Sequence, residues 1–220
     1  PSGHRHVLKA AHDGLVEIDV AALRRLNSIA GVAVFTLRSG EVVSAGQIVL
    51  EAQITGLAID RRSIEEAERM AGGIIRLLPF PRRDVIVWRR DEKIVAPLRE
   101  KLRRFGCEIA DVRDMPFDPP AAPPEPTLYI VSGSNALDPL DPTFATLARF
   151  GATMQRVGVP VHPGTLFWIA TRGAVTIVGL PQCGLGPQVT AFDLILPGLL
   201  ARGSVRDDEL ADLGHGGLLR

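Results

Sequence analysis

Three loops between Thr127 and Pro187 hold most of the side chains in this sequence that could do chemistry. They are SGSNALDPLD (Ser132 to Asp141), VHPG (Val161 to Gly164) and GLPQCGLG (Gly179 to Gly186), and each follows an apolar run. A strand that delivers a glycine-rich loop at its carboxyl end exposes backbone N–H groups, and in open α/β sheets that edge is where ligands bind. A small anion is the ligand such loops fit. In the first loop, Ser132, Gly133, Ser134 and Asn135 add side-chain donors, and Pro142 suits the first turn of a helix whose positive end faces the loop. Asp138 and Asp141 would repel a bare phosphate. They suit Mg²⁺ or the hydroxyl and N–H groups of a larger ligand, and Asp141 suits a helix cap equally well. Cys183 lies in the third glycine-rich loop, where nearby donors would make its thiol reactive; ordinary packing is the competing reading.

The elements that must position these loops can be read in order. DVIVW (Asp84 to Trp88) is a buried strand. DEKIVAPLREKLRRFG places Ile94, Leu98, Leu102 and Phe105 on one helical face and stops at Gly106, and CEIADV is the next strand, so the segment predicts a parallel βαβ unit. A doubly wound domain would place a helix next. Instead DMPFDPPAAPPEP carries six prolines between Pro116 and Pro126, which predicts a semi-rigid connector. TLYIV (Thr127 to Val131) resumes the sheet, PTFATLARFG predicts a helix capped by Asp141 and stopped by Gly151, and TLFWIATRGAVTIVGLP predicts a hairpin turning at Arg172-Gly173. VTAFDLILPGLLARG predicts a closing amphipathic helix.

Upstream, LLPFPRR (Leu77 to Arg83) reads as a linker, which divides the chain into a small α+β accessory region (1–80), an α/β domain (81–205) and a tail (206–220). Within the accessory region, Gly14 is a turn between two extended runs. Asp19 is the cap of a helix ended by Gly31, and Val32 to Leu37 is a strand. VVSAGQIVLEAQITGLAI is a strand pair broken at Ala45-Gly46, and Asp60 caps a second helix that ends at Gly72-Gly73. His4, His6 and His12 lack a carboxylate or cysteine partner at ligand spacing, so no metal site is expected there.

Composition excludes several classes. With 25 Lys plus Arg against 25 Asp plus Glu there is no basic field for nucleic acid, and no apolar stretch approaches the roughly 20 residues that span a bilayer, so no membrane segment is expected. Two cysteines suit a reducing compartment, and a cytoplasmic location is expected.

The order strand, Ser-Gly loop with Asp, helix, strand, basic-Pro-Gly, hairpin, Gly-Leu-Pro loop and helix resembles the molybdopterin-binding domain. That domain is shared by molybdopterin adenylyltransferases, molybdopterin molybdotransferases and gephyrin. The resemblance runs from Asp84 to Arg202. Ser132-Gly133-Ser134-Asn135-Ala136 stands where the family has Ser/Thr-Gly-Gly-Thr/Val-Gly/Ser, and Asp141 falls on its loop aspartate. His162-Pro163-Gly164 matches Lys-Pro-Gly, and Gly179-Leu180-Pro181 matches the start of Gly-Leu-Pro-Gly-Asn-Pro, with Gln182-Cys183 replacing Gly-Asn. The upstream region looks like the accessory segment of a branch in which a molybdopterin-binding region precedes a nucleotidyltransferase domain.

The resemblance implies a three-layer α/β/α domain with a largely parallel sheet, and molybdopterin or molybdenum cofactor as ligand. It implies Ser132, Gly133, Ser134, Asn135, His162, Pro163, Gly164, Gly179, Leu180, Pro181, Gln182 and Cys183 as contacts. It also implies Asp138 and Asp141 as catalytic groups, with Asp141 as the Mg²⁺ ligand. Members commonly form dimers or trimers, and a nucleotidyltransferase is the implied partner. Several positions depart from the family pattern. Trp88-Arg89-Arg90-Asp91-Glu92 replaces the first Thr-Gly-acid loop, and the two arginines read equally as a phosphate grip or as solvated charges. Ser134 replaces glycine, and His162 replaces lysine. These departures favour a module that holds the cofactor. The alternative is an active molybdopterin adenylyltransferase or molybdotransferase using Mg-ATP or molybdate. A third reading is a relative of the competence-damage or nicotinamide-nucleotide proteins of the same fold.

Overall fold

The computed structural model describes residues 5–55, 60–81, 83–124, 126–215 and 218–219. The chain divides into two compact units, Pro1–Phe80 and Pro81–Arg220.

In the first unit, β1 (Arg5–Lys9), β2 (Gly14–Ile18), β3 (Val32–Thr36), β4 (Val42–Val43), β5 (Ile48–Ile54) and β6 (Ile75–Leu78) form two three-stranded antiparallel sheets, ordered β1-β5-β3 and β4-β2-β6. Asp19 and Asp60 cap α1 (Val20–Asn27) and α2 (Arg61–Ala71), each accepting an N–H three residues ahead. Two expectations change here. β4 and β5 do not pair with each other but join different sheets, because β4 is only two residues long and finds its ladder on β2. Leu77 and Leu78, read as linker, instead complete β6 against β2, a partner some sixty residues upstream that local sequence does not announce. His4 lies outside the described residues; among those described, no three His, Cys, Asp or Glu side chains gather as a metal would require.

The second unit is a mixed α/β fold. Its sheet contains β7 (Asp84–Arg89), β8 (Glu108–Asp114), β9 (Thr127–Ser132), β10 (Thr153–Val157), β11 (Trp168–Arg172) and β12 (Val175–Leu180), in the order β10-β11-β12-β9-β7-β8. The pairs β12–β9, β9–β7 and β7–β8 are parallel, and β10–β11 and β11–β12 are antiparallel. The helices are α3 (Val95–Arg103), α4 (Pro142–Phe150), α5 (Ala191–Arg202) and α6 (Asp207–Asp212). β7, β9 and β12 are buried along nearly their whole length, the pattern of strands covered on both faces. On one face Trp88, Tyr129, Val131, Trp168 and Ile177 pack with Leu147, Phe144 and Phe150 of α4.

The proline-rich connector takes the place of a helix on that face: Phe117 is buried edge-on against Trp88, with ring centroids 4.8 Å apart, and also packs on Tyr129. α5 is buried on nearly every side, not on one stripe, so it is a core helix and not the amphipathic one its sequence suggests. The segment beyond residue 205 contains α6, whose Leu210 is buried, and Leu219 donates its N–H to the His162 carbonyl at 2.8 Å. Among the described residues no helix is long and apolar enough to cross a membrane.

Candidate functional site

β10 is antiparallel to β11, which is antiparallel to β12, so β10 points the same way as β12, β9 and β7. The segments that follow these four strands therefore leave the sheet at one edge, and they are bonded to one another. Gly133 N–H donates to the Leu180 carbonyl at 2.8 Å, joining the first loop to the third. Ala136 N–H donates to Leu166 O at 3.3 Å, and Ala191 N–H to Pro163 O at 2.9 Å, which ties the second loop to its neighbours on either side. Gly164 and Gly184 face each other so closely that a Cβ on Gly184 would sit 3.3 Å from the Gly164 Cα. The three loops make one continuous surface.

The individual residues divide by burial and by what they already hold. Ser132 is the last residue of β9 and is buried, and its Oγ accepts the Arg90 N–H at 2.8 Å. Gly179 and Leu180 belong to β12, not to a loop, and both are buried. Gly179 pairs across the ladder with Trp168, and a Cβ there would fall inside the indole ring. Pro181 leads a short 3-10 turn, Gln182–Gly184, on which Gln182 and Cys183 are exposed. His162 is exposed and Pro163 half-buried.

In the first loop, most polar side chains are engaged in building the loop itself. Ser134 is fully buried; its hydroxyl donates to Asp141 Oδ2 at 2.9 Å and accepts from Trp168 Nε1 at 3.0 Å. Asp141 caps α4, with Oδ1 accepting the Thr143 N–H at 2.9 Å, so both its oxygens are occupied. Burial alone would push the Asp141 carboxyl up. Thr143, the Ser134 hydroxyl and the Arg90 charge outweigh burial and hold it below the ordinary Asp value. The buried Thr143 hydroxyl faces the carboxylate without full hydrogen-bond geometry. Asn135 Oδ1 accepts from Leu137 N–H and Asp138 Oδ1 from Leu140 N–H, each two residues ahead, the geometry of side-chain-closed turns. Two N–H groups, those of Ser134 and Asn135, make no hydrogen bond among the described residues.

Arg89 and Arg90, indistinguishable in the sequence, part company here. Arg89 pairs with Asp114 at 2.9 Å and Glu92 at 3.4 Å, contacts that hold its pKa above the ordinary Arg value. Arg90 makes no ion pair among the described residues. Its side chain lies along Gly133, close enough that a Cβ at Gly133 would meet the Arg90 Cδ at 2.8 Å, and the positive φ of 71° there also favours glycine. The surface thus combines the partly exposed, unbonded N–H of Asn135, the start of α4 and one guanidinium without an ion pair, while the Ser134 N–H is enclosed with its residue. Trp168 is a further site residue that sequence spacing did not mark; only its place opposite Gly179 in the hairpin register could have found it.

No family model matches the sequence, and no curated protein matches it. Among solved structures, the chain is similar to the molybdopterin biosynthesis MoeA protein from Pyrococcus horikosii, at 14% identity over 88% of this chain and 68% of that one, with a TM-score of 0.38. It is also similar to a NadC deletion mutant, at 14% identity over 60% of this chain and 58% of that one, with a TM-score of 0.26.

Proposed function

We propose that the second unit binds molybdopterin at this sheet edge and serves molybdenum cofactor biosynthesis as a module that holds the cofactor. The observation that supports this reading is the joining of three loops into one surface beside Arg90, the guanidinium left without an ion pair among the described residues. In this reading Arg90 and the partly exposed N–H of Asn135 take the ligand's phosphate, at the positive end of α4. The exposed side chains of His162, Gln182 and Cys183 face its pterin. Asp141, with both oxygens committed to the fold, positions the loop and does no chemistry, which favours holding over turnover. A Mg²⁺ ion would be held by Asp138, which is exposed and has one oxygen outside its turn bond, together with phosphate oxygens of the ligand.

Calorimetry with purified molybdopterin, with and without Mg²⁺, tests the proposal. Saturable binding is expected, and Arg90→Ala is expected to weaken it about ten-fold or more, the usual cost of losing a charge-assisted bond. A wild-type protein that does not bind molybdopterin ends the proposal. Appearance of an adenylylated pterin with Mg-ATP, or molybdate-dependent conversion, would replace the holding role with a catalytic one.

A further inference from the structure

A lysine ammonium is rarely buried, because stripping its water is costly unless partners replace it. Lys101, on α3, is only 5% exposed. Its Nζ donates to the Gln188 carbonyl at 2.8 Å and to the carboxylate of Asp193. Asp193 in turn accepts the Thr190 N–H at 2.8 Å and the Thr190 hydroxyl at 3.0 Å, closing the cap of α5. Next along the chain, Ala191 donates to Pro163 O and packs against Gly164, where a Cβ would come within 3.0 Å of the Ala191 Cβ. One buried charge on a helix therefore fastens the end of the third loop, and through Thr190 and Ala191 it reaches the second. An apolar side chain would fill the same space at lower desolvation cost but could hold neither the carbonyl nor the carboxylate.

We propose that Lys101 is a positioning residue for the site: acting through Gln188 and Asp193, it fixes the 182–190 loop, and the His162-Pro163-Gly164 loop with it, in the arrangement that receives the ligand. The ligand clause rests on the molybdopterin reading; the loop-fixing clause does not. Two readouts on the full chain separate them. The first is amide hydrogen exchange without ligand, comparing wild type, Lys101→Met and Lys101→Arg. In Lys101→Met, amides of 182–190 and 162–164 are expected to exchange about ten-fold faster while those of β7 and β9 keep their rates, with Lys101→Arg closer to wild type. Unchanged loop exchange, or equal acceleration throughout the sheet, overturns the proposal. If Lys101→Met does not fold, Asp193→Asn gives the same test, because it removes the charge partner and leaves an oxygen to cap Thr190.

The second readout is molybdopterin calorimetry, in which Lys101→Met is expected to lose about ten-fold in affinity, partly restored in Lys101→Arg. Loops loosened with affinity unchanged would overturn the ligand clause. A wild type that binds no molybdopterin ends the functional reading, and the exchange result then decides the role of Lys101.

Discussion

The first and third loops leave the same sheet edge but are held in opposite ways. Residues 133–141 are closed from within: Ser134, Asn135, Asp138 and Asp141 spend their side chains on hydrogen bonds to the loop's own backbone, to each other and to Trp168. Residues 181–190 close internally through the backbone of the 3-10 turn, Gly184 N–H to Pro181 O at 2.8 Å and Leu185 N–H to Gln182 O at 3.3 Å, and their polar side chains leave the rest of the fastening to Lys101 on α3 and to the close approach of Gly184 to Gly164. A self-closed loop has few polar side chains left for a ligand, so in the proposed reading its backbone and neighbours such as Arg90 would do the holding. An externally fastened loop keeps Gln182 and Cys183 exposed, at the cost of depending on a distant helix. Polar residues in a loop sequence thus mean different things according to what closes the loop.

The largest effect on this comparison is expected at Gly179. Valine there would drive two methyl groups into the Trp168 indole, which is also the donor that holds Ser134. Overpacking of this kind costs about 3 kcal/mol, with loss of the indole bond besides, and urea denaturation should show it. If Gly179→Val is as stable as wild type, the indole does not support the first loop as described.

Asp141→Ala comes next, at about 2 kcal/mol, since it removes a cap and leaves the buried Ser134 hydroxyl without its acceptor. Because the folded carboxyl is held below its ordinary value of 3.8, its stabilisation is complete above that pH. It is lost as the pH falls through the lower folded value. Asp141→Asn should therefore show a flatter loss of stability in acid than wild type, measured by denaturation midpoints between neutral pH and pH 3. An identical acid profile would mean that the carboxylate charge contributes nothing. Ser134→Ala is expected to cost about 1 to 2 kcal/mol, by leaving Trp168 Nε1 and Asp141 Oδ2 unpartnered in the interior.

Much of the scaffold was legible in the sequence because it is written locally. Asp19, Asp60 and Asp141 each cap the helix that follows them, Gly151 ends α4 in the left-handed conformation, and Arg172-Gly173 turns the β11–β12 hairpin. What failed depends on distant partners. β6 exists because β2 is there to pair with it, and α5 is buried on nearly every side because the layers around it are, neither of which shows in a short window. The candidate site was legible in its position and less so in its assignments. Small residues at strand ends located the loops, but Ser134, Asn135 and Asp138 carry the same side chains whether they grip a ligand or close a turn. Arg89 and Arg90 were equivalent until Asp114, brought alongside by the β7–β8 register, claimed one of them. Lys101 carries no mark in the sequence, since its partners lie about ninety residues away.

The smallest expected effect separates two roles within the self-closed first loop. Asn135→Ala and Asp138→Ala each remove one turn bond at a solvent-accessible position, so each should cost within about 0.5 kcal/mol of stability. Their consequences for binding should differ. In the molybdopterin reading, Asn135→Ala loses the acceptor that orients the backbone presenting the Asn135 N–H, so it should weaken binding with or without Mg²⁺. In the same reading Asp138→Ala should weaken it only when Mg²⁺ is present, because its contribution would run through the metal, and without Mg²⁺ the loss of a negative charge near a bound phosphate should leave affinity equal or better. Calorimetry on the two variants at both Mg²⁺ levels checks this crossed pattern. Equal losses from both, whether or not Mg²⁺ is present, would mean that the turns act only as scaffold and that the first loop contacts its ligand through neither side chain.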